Sequence, residues 1–252
     1  MLRSSGLSVP AVPERVEHVQ QDWDRWRELL GSATDERAAQ PGRICELCIP
    51  MLAVTGAGIS MLTPEGNGVV VCATDDVASA IEDLQFSLGV GPCVDAVQRG
   101  APVLIPDLGD PRDVSVERWP AFMEAAARTG VQALFAFPLR VGAVTVGALD
   151  LYRDRPGELD AQQLGGALFA ADAAALALVH LDTGLPVESP STGYASYHLQ
   201  VHQATGMVQV QLAVGAQEAL VRLRARAFAL GRTLEGLADD IVQRRIRFTA
   251  ED

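Results

Sequence analysis

Between Asp182 and Gly193 the chain reads DTGLPVESPSTG, and no other stretch constrains its fold as much. The Pro, Ser, Thr and Gly content is that of a linker. Before it, apolar residues fall into both strand-like runs and helical spacings. After it, every pattern is helical. A chain of 252 residues, at roughly 100–200 residues per domain, is therefore expected to divide here. The expected parts are an N-terminal helix and linker (1–39), a mixed domain (40–181), a linker (182–195) and a helical unit (196–252).

The mixed part carries its own punctuation. Gly58–Leu62 and Gly68–Thr74 read as strands around a turn at Pro64–Gly68, and Asp76–Leu84 reads as a helix. GVGPC (Gly89–Cys93) opens a short helix to Arg99, Pro102–Leu108 reads as a strand, and Trp119–Arg128 as a helix. Val131–Val141 and Val144–Tyr152 are β-type runs joined by Gly142-Ala143, a two-residue hairpin signal. Asp160–Leu181 closes the unit as a long helix. This pattern predicts an α+β fold with a central antiparallel sheet flanked by helices.

Ahead of it, Val16, Val19, Trp23, Trp26 and Leu30 form a narrow stripe on a helix over Pro13–Leu30. Leu164, Leu168, Ala171, Ala175 and Leu178 repeat at spacings of four and three in the closing helix. The two rows offer seams for a homodimer, or else pack on their own sheet. Beyond the linker, Tyr197–Leu212, a helix from Gly215 to Leu230, and a third helix capped by Thr233 predict a three-helix bundle.

Charge follows the same division. The whole chain is −12, and all 20 basic residues are Arg. Residues 1–196 hold 13 Arg against 26 acids, net −13, whereas 197–252 hold 7 Arg against 6, net +1. Bulk electrostatic coating of nucleic acid or of an anionic membrane is thereby excluded. Arg222, Arg224, Arg226 and Arg232 nevertheless crowd the second helix of the small unit and its exit. On residues alone they are either its solvated face or a set of placed phosphate and base contacts.

No signal peptide is read in the first residues, and uncharged Leu47–Pro64 reads as a helix end and a buried strand rather than a membrane span. The cytoplasm is the expected compartment. Cys45 and Cys48 are spaced as in metal or redox motifs, but Cys72 and Cys93 make no second pair. No His lies between His18 and His180. Core packing is the reading for that pair, and no metal ligand is assigned. Cys93, at the start of a helix, is a candidate thiol whose pKa a helix N-terminus would lower. His18, His180, His198 and His202 fall outside the strand runs and no Ser sits in a nucleophile elbow, so no catalytic residue is assigned and a non-enzyme is expected.

Several motifs together resemble known modules. EDLQFSLGVGPCVDA (Glu82–Ala96), PVLIPDL, RWPAF (Arg118–Phe122), ALFAFPL (Ala133–Leu139) and VGALDLY (Val146–Tyr152) resemble the small-ligand sensor module GAF in its actinobacterial form. VHQATGM (Val201–Met207), EAL (Glu218–Leu220), LRARAFA (Leu223–Ala229) and LEGLADDIV (Leu234–Val242) resemble ANTAR, an RNA-binding antitermination module. That likeness implies a signal-responsive antitermination regulator contacting hairpin loops of nascent RNA through Thr205, Gly206, Arg222, Arg224, Arg226 and Arg232. Thr205 stands where the ANTAR pattern has a basic residue. By analogy with GAF, a pocket for an unidentified small ligand or redox signal is expected among Cys93, Trp119, Phe122, Phe137 and Tyr152, with the cofactor unspecified. The competing reading is a protein-interaction or dimerisation regulator whose bundle binds no RNA.

Overall fold

The computed structural model describes residues 40–63, 68–110, 117–181 and 194–249, together with Trp26. The helix expected at Pro13–Leu30 (Trp26 apart), the turn after Pro64 and the Asp182–Gly193 linker lie outside the described residues.

The chain runs α1 (Pro41–Leu52), β1 (Gly56–Leu62), β2 (Gly68–Ala73), α2 (Asp76–Leu88), α3 (Pro92–Arg99), β3 (Val103–Ile105), α4 (Pro120–Ala127), β4 (Ala133–Val141), β5 (Val144–Arg153), α5 (Ala161–Leu181), α6 (Tyr194–Leu212), α7 (Ala216–Ala229) and α8 (Leu234–Val242). Local chemistry sets many of the ends. Asp75 caps α2 by accepting from the Ala78 N–H at 2.7 Å, and Thr233 caps α8 by accepting from Gly236. Pro begins α1, α3 and α4, where its missing N–H costs nothing. β3 is shorter than the run Pro102–Leu108 because Pro106 has no ladder donor.

Five strands form one antiparallel sheet in the order β2-β1-β5-β4-β3. The Gly142-Ala143 hairpin is as expected, with Val141 opposite Val144 and Gly142 at φ 61°. Both faces of the sheet are covered, so the period-two alternation sorts residues between two layers. Ile59, Phe135, Phe137, Leu149 and Leu151 pack against α1 and α5. Leu134, Ala136, Ala148, Asp150 and Tyr152 face α2, α3 and α4. Arg153 ties the layers: its guanidinium donates to the carbonyls of Ala53 (3.0 Å), Leu52 (3.0 Å) and Glu158 (3.1 Å) and to Gln163 Oε1 (3.0 Å). It thereby satisfies the open carbonyl end of α1.

α5 is the one described helix long and apolar enough, by length and composition, to cross a membrane. Its Ala167, Ala170, Ala171, Ala174, Ala175 and Leu178 are buried in the core of this domain. Of the two readings of this row, packing on the chain's own sheet accounts for three of its residues. Ala171, Ala175 and Leu178 of that row are spent on the chain's own sheet, and Trp26 is 2% exposed against Phe169 of α5. Leu168 of the same row is exposed, together with Leu176 and Val179.

α6, α7 and α8 pack on one another around Val201, Val208, Leu223, Leu237 and Ile241. Their core also takes in Phe86, a residue of α2.

Candidate functional site

Under α2 the sheet carries a buried polar cluster. Period two directs Ser60 of β1 and Asp150 of β5 into the α2 layer, and Glu82 and Gln85, three residues apart, project from the same side of α2. Exposures are 4% for Ser60, 3% for Glu82, 1% for Gln85 and 4% for Asp150. The Ser60 hydroxyl and the Gln85 amide donate to Glu82 and Asp150 respectively, while Gln85 Oε1 accepts from the Cys93 N–H at 2.7 Å. Room for the Glu82 carboxylate comes from Gly58, where a Cβ would overlap it. Burial, then the neighbouring Asp150, pushes the Glu82 carboxyl well above its usual range. Burial likewise lifts Asp150 to about 7, against the Gln85 hydrogen bond.

The same helix docks the bundle. Phe86, one turn beyond Glu82, is covered by groups from two helices. Arg224 of α7 sits with its guanidinium carbon 5.4 Å from the ring centroid, and His202 of α6 makes an edge contact at 5.9 Å. Ser87 Oγ donates to Glu235 of α8 at 3.3 Å. Desolvation lowers the Arg224 pKa to about 10. Gly89 ends α2 at φ 68°, and a Cβ there would lie 2.7 Å from Arg224 Nη1. Beside this contact lies a cleft of about 840 Å³, bordered by Leu84, Leu88, Ala125, Arg224, Phe228 and Arg232.

The six residues expected at RNA do not form one surface. Thr205 is buried, 7% exposed, and its hydroxyl donates to the Val201 carbonyl at 2.7 Å. That corrects its expected role, because an inward hydroxyl bonded to its own helix cannot reach RNA, whereas Gly206 is exposed. Arg222 and Arg226 lie together, as their spacing requires, beside a second cleft of about 290 Å³. Arg222 pairs with Glu218 at 2.7 Å, and the Arg226 guanidinium sits 4.7 Å over Phe248. Arg224 faces Phe86 of α2, and Arg232 pairs with Asp240 at 2.6 Å.

The five residues expected to line a ligand pocket are all buried, but the structure does not bring them together. Trp119, Phe122 and Tyr152 share the layer under α2 and α4, the first two edge to face at 6.5 Å. Tyr152 donates to Asp75 at 3.0 Å. Phe137 points into the opposite layer and Cys93 packs with α3.

The thiol expectation is also corrected. Cys93 does begin a helix, α3, but it is 2% exposed, and burial followed by Asp150 and Glu82 raises its pKa well above the ordinary value. Desolvation outweighs the backbone hydrogen bonds that act the other way. Cys45 and Cys48 are buried core residues, in keeping with the packing reading. Cys45 Sγ lies 3.1 Å from Cys72 Sγ, and all four thiols are free. Burial raises the pKa of both Cys45 and Cys48.

Sequence reasoning passed over Glu82, Gln85 and Asp150. Asp150 did leave a signal: one carboxylate inside the apolar run VGALDLY, on a strand covered on both faces. Glu82 and Gln85 left none, since a helix tolerates either residue on its solvent side.

Among solved structures, the chain is similar to the GAF domain of an Acinetobacter phosphoenolpyruvate-protein phosphotransferase. That match has 8% identity and a TM-score of 0.48, covering 71% of this chain and 100% of the other. The GAF domain of a phosphoenolpyruvate-protein phosphotransferase from Coxiella burnetii is similar at 13% identity and a TM-score of 0.46, covering 67% and 94%. The cyanobacteriochrome TePixJ GAF domain follows at 14% and 0.44, covering 62% and 96%. Comparison with curated proteins finds no match. The sequence pattern described as GAF domain matches residues 41–179, more than half of the chain and the whole of the sheet with its flanking helices. On that match, the chain belongs to the GAF domain family.

Proposed function

We propose that this chain is a signal-responsive transcription antitermination regulator. It senses through the GAF domain and binds hairpin loops of nascent RNA through α6–α8, the part that resembles ANTAR. Membership of the GAF family supports ligand sensing and signal transduction. The observation that carries the coupling is the placement of Arg224 over Phe86, which puts a cation of the effector bundle under the control of the sensor's α2. A signal that moves α2 releases Arg224. RNA contact then rests on Arg222, Arg224, Arg226 and Gly206, with Arg232 at the rim. This is recognition by a few placed contacts on splayed bases rather than by bulk charge.

On this reading the protein is not an enzyme, acts in the cytoplasm and works as a homodimer, joined through the exposed row Leu168, Leu176 and Val179. Two bundles on one assembly suit paired hairpins, because association adds avidity without new contacts. Light scattering is expected to return twice the chain's 26.7 kDa.

The second reading, a protein-interaction or dimerisation regulator, draws on Thr205 being turned inward and on Arg222 and Arg232 being paired with carboxylates. Crosslinking in cells followed by sequencing separates the two. The antitermination reading expects transcripts with paired hairpin loops to be enriched, and salt-dependent binding to such transcripts in vitro. Binding unaffected by Arg224→Ala together with Arg226→Ala overturns it.

A further inference from the structure

We propose that Glu82, Cys93 and Asp150 hold a single divalent transition-metal ion of the zinc or ferrous type, and that this ion is the ligand of the sensor. The proposal rests on the sensing half of the reading above and is independent of RNA. One ligand atom from each residue lies within 4.8 Å of the other two. Tetrahedral ligation at the usual metal–oxygen and metal–sulfur lengths sets neighbouring ligands roughly 3.3–3.8 Å apart. The three side chains thus close by about 1 Å, a rotation rather than a rebuilding of the backbone.

Charge asks for the ion. Among the described residues the other buried carboxylate, Asp95, pairs with Arg118, and the half-buried Asp75 caps a helix and accepts from Tyr152. Among the described residues no arginine pairs with Glu82 or Asp150. Each receives one neutral donor, and Asp150 Oδ1, fully enclosed, has no partner at all. A buried anionic group with an unused lone pair needs a proton or a cation.

Size rejects an organic ligand. Two cavities touch Glu82, one bordered also by Gly58, Asp150 and Tyr152, the other by Ser60, Phe86 and Cys93. Each is about 10 Å³, the room of one water, whereas small-molecule pockets run to roughly 300–1,000 Å³. An ion fits where a metabolite does not.

The donor set chooses among ions. Two carboxylates and a thiolate, with the thiol proton and any proton held by the metal-free Glu82 and Asp150 carboxyls released to solvent on binding, suit zinc or ferrous iron, the thiolate being too soft for magnesium or calcium. Three protein ligands leave a fourth position for an exchangeable molecule. Gln85 is the outer-shell residue, bonded to Asp150 through its amide and to the Cys93 N–H through its oxygen. Glu82 and Phe86 are one helical turn apart and border the same cavity. The cluster thus shares a cavity wall with the Phe86 side chain that Arg224 covers.

The test uses the full chain stripped of metal by a chelator and titrated with Co²⁺, then Zn²⁺. The expected result is one Co²⁺ with a thiolate-to-metal charge-transfer band, displaced by Zn²⁺, and a melting temperature that rises with Zn²⁺ but not with Mg²⁺. Cys93→Ser abolishes the band and Asp150→Asn abolishes the Zn²⁺ shift. Gln85→Leu weakens binding roughly 10–100-fold. A band that survives Cys93→Ser and is lost in Cys72→Ser moves the site to the other thiols and overturns the proposal. So does a wild-type chain that takes up neither metal, whose buried acids then hold protons only. That wild-type measurement decides the matter even where a variant fails to fold. Because RNA is absent throughout, metal uptake without RNA binding sinks only the antitermination reading, and RNA binding without metal uptake sinks only this one.

Discussion

Arg224 of the C-terminal bundle lies over the ring of Phe86 at 5.4 Å, so a cation of one unit is held by an aromatic ring of the other. Phe86 is 4% exposed and counts among the core residues of the bundle, not those of the sheet. The contact is both a cation–π pair and a core packing position.

Truncating the ring therefore acts twice. Phe86→Ala is expected to lower stability by about 3 kcal/mol, as for other buried aromatics, measured by denaturant unfolding. Hydrogen exchange over α7 is expected to quicken, and any RNA affinity to rise as Arg224 comes free. Unchanged exchange over residues 216–229 refutes the docking role.

Gly89 tests the same junction from the backbone. Its φ of 68° alone makes Gly89→Ala cost about 1–2 kcal/mol, and the overlap with Arg224 Nη1 adds to it. In an Arg224→Ala background only the conformational part remains, so the glycine substitution should be milder there. Strict additivity in that double-mutant cycle means that the two residues do not touch.

Arg153 is expected to be the most costly cation to replace in the domain. Arg153→Lys keeps the charge but cannot span four acceptors with a planar fork. A loss of about 2–3 kcal/mol follows from stranding the carbonyls at the end of α1, read as a lowered melting temperature. A loss under half a kcal/mol, the level of an ordinary surface change, counts against that role.

Stability of the metal-free protein should depend on pH with an unusual sign. Glu82 and Asp150 have carboxyl pKa values raised by burial, Asp150 to about 7. Between the unfolded carboxyl value near 4 and about 7, the folded state keeps protons that the unfolded state releases. Stability therefore falls as pH climbs through that window in chelator, and Asp150→Asn should flatten the slope. A rise over the same interval, unaltered by Asp150→Asn, contradicts the assignment.

The described thiols should be inert in the native state. Cys45, Cys48, Cys72 and Cys93 are each at most 3% exposed, and burial raises the pKa of the first two and of Cys93. DTNB is expected to react with none until denaturant is added. Rapid labelling of Cys93 in the folded chain restores the thiol-sensor reading.

The strand and helix layout was legible because each element announces itself locally. Gly142-Ala143 sits between two apolar runs, Thr233 precedes a helical face, and Pro and Gly mark most ends. Helix α2 ran four residues beyond the expected Leu84, since Phe86 and Leu88 bury a surface that only the bundle and α4 supply. The polar cluster was hidden for a related reason. Glu82, Cys93 and Asp150 come from three elements, and only the packing of α2 and α3 over β5 brings them together. Thr205 misled because its place in the ANTAR-like motif does not say which side of α6 is buried and which meets solvent.

The seating of Phe86 in the bundle's core also limits what evolution and engineering can do with this chain. A domain whose surface ring completes its neighbour's interior is not an interchangeable part. Joining residues 40–181 to a foreign C-terminal unit leaves an aromatic group in water, and joining α6–α8 to a foreign N-terminal domain leaves a hole where the ring belongs. Relatives that keep one half and exchange the other should show changes at 86, 89 and 224 together, and chimaeras that carry these three positions as a set should be the ones that fold.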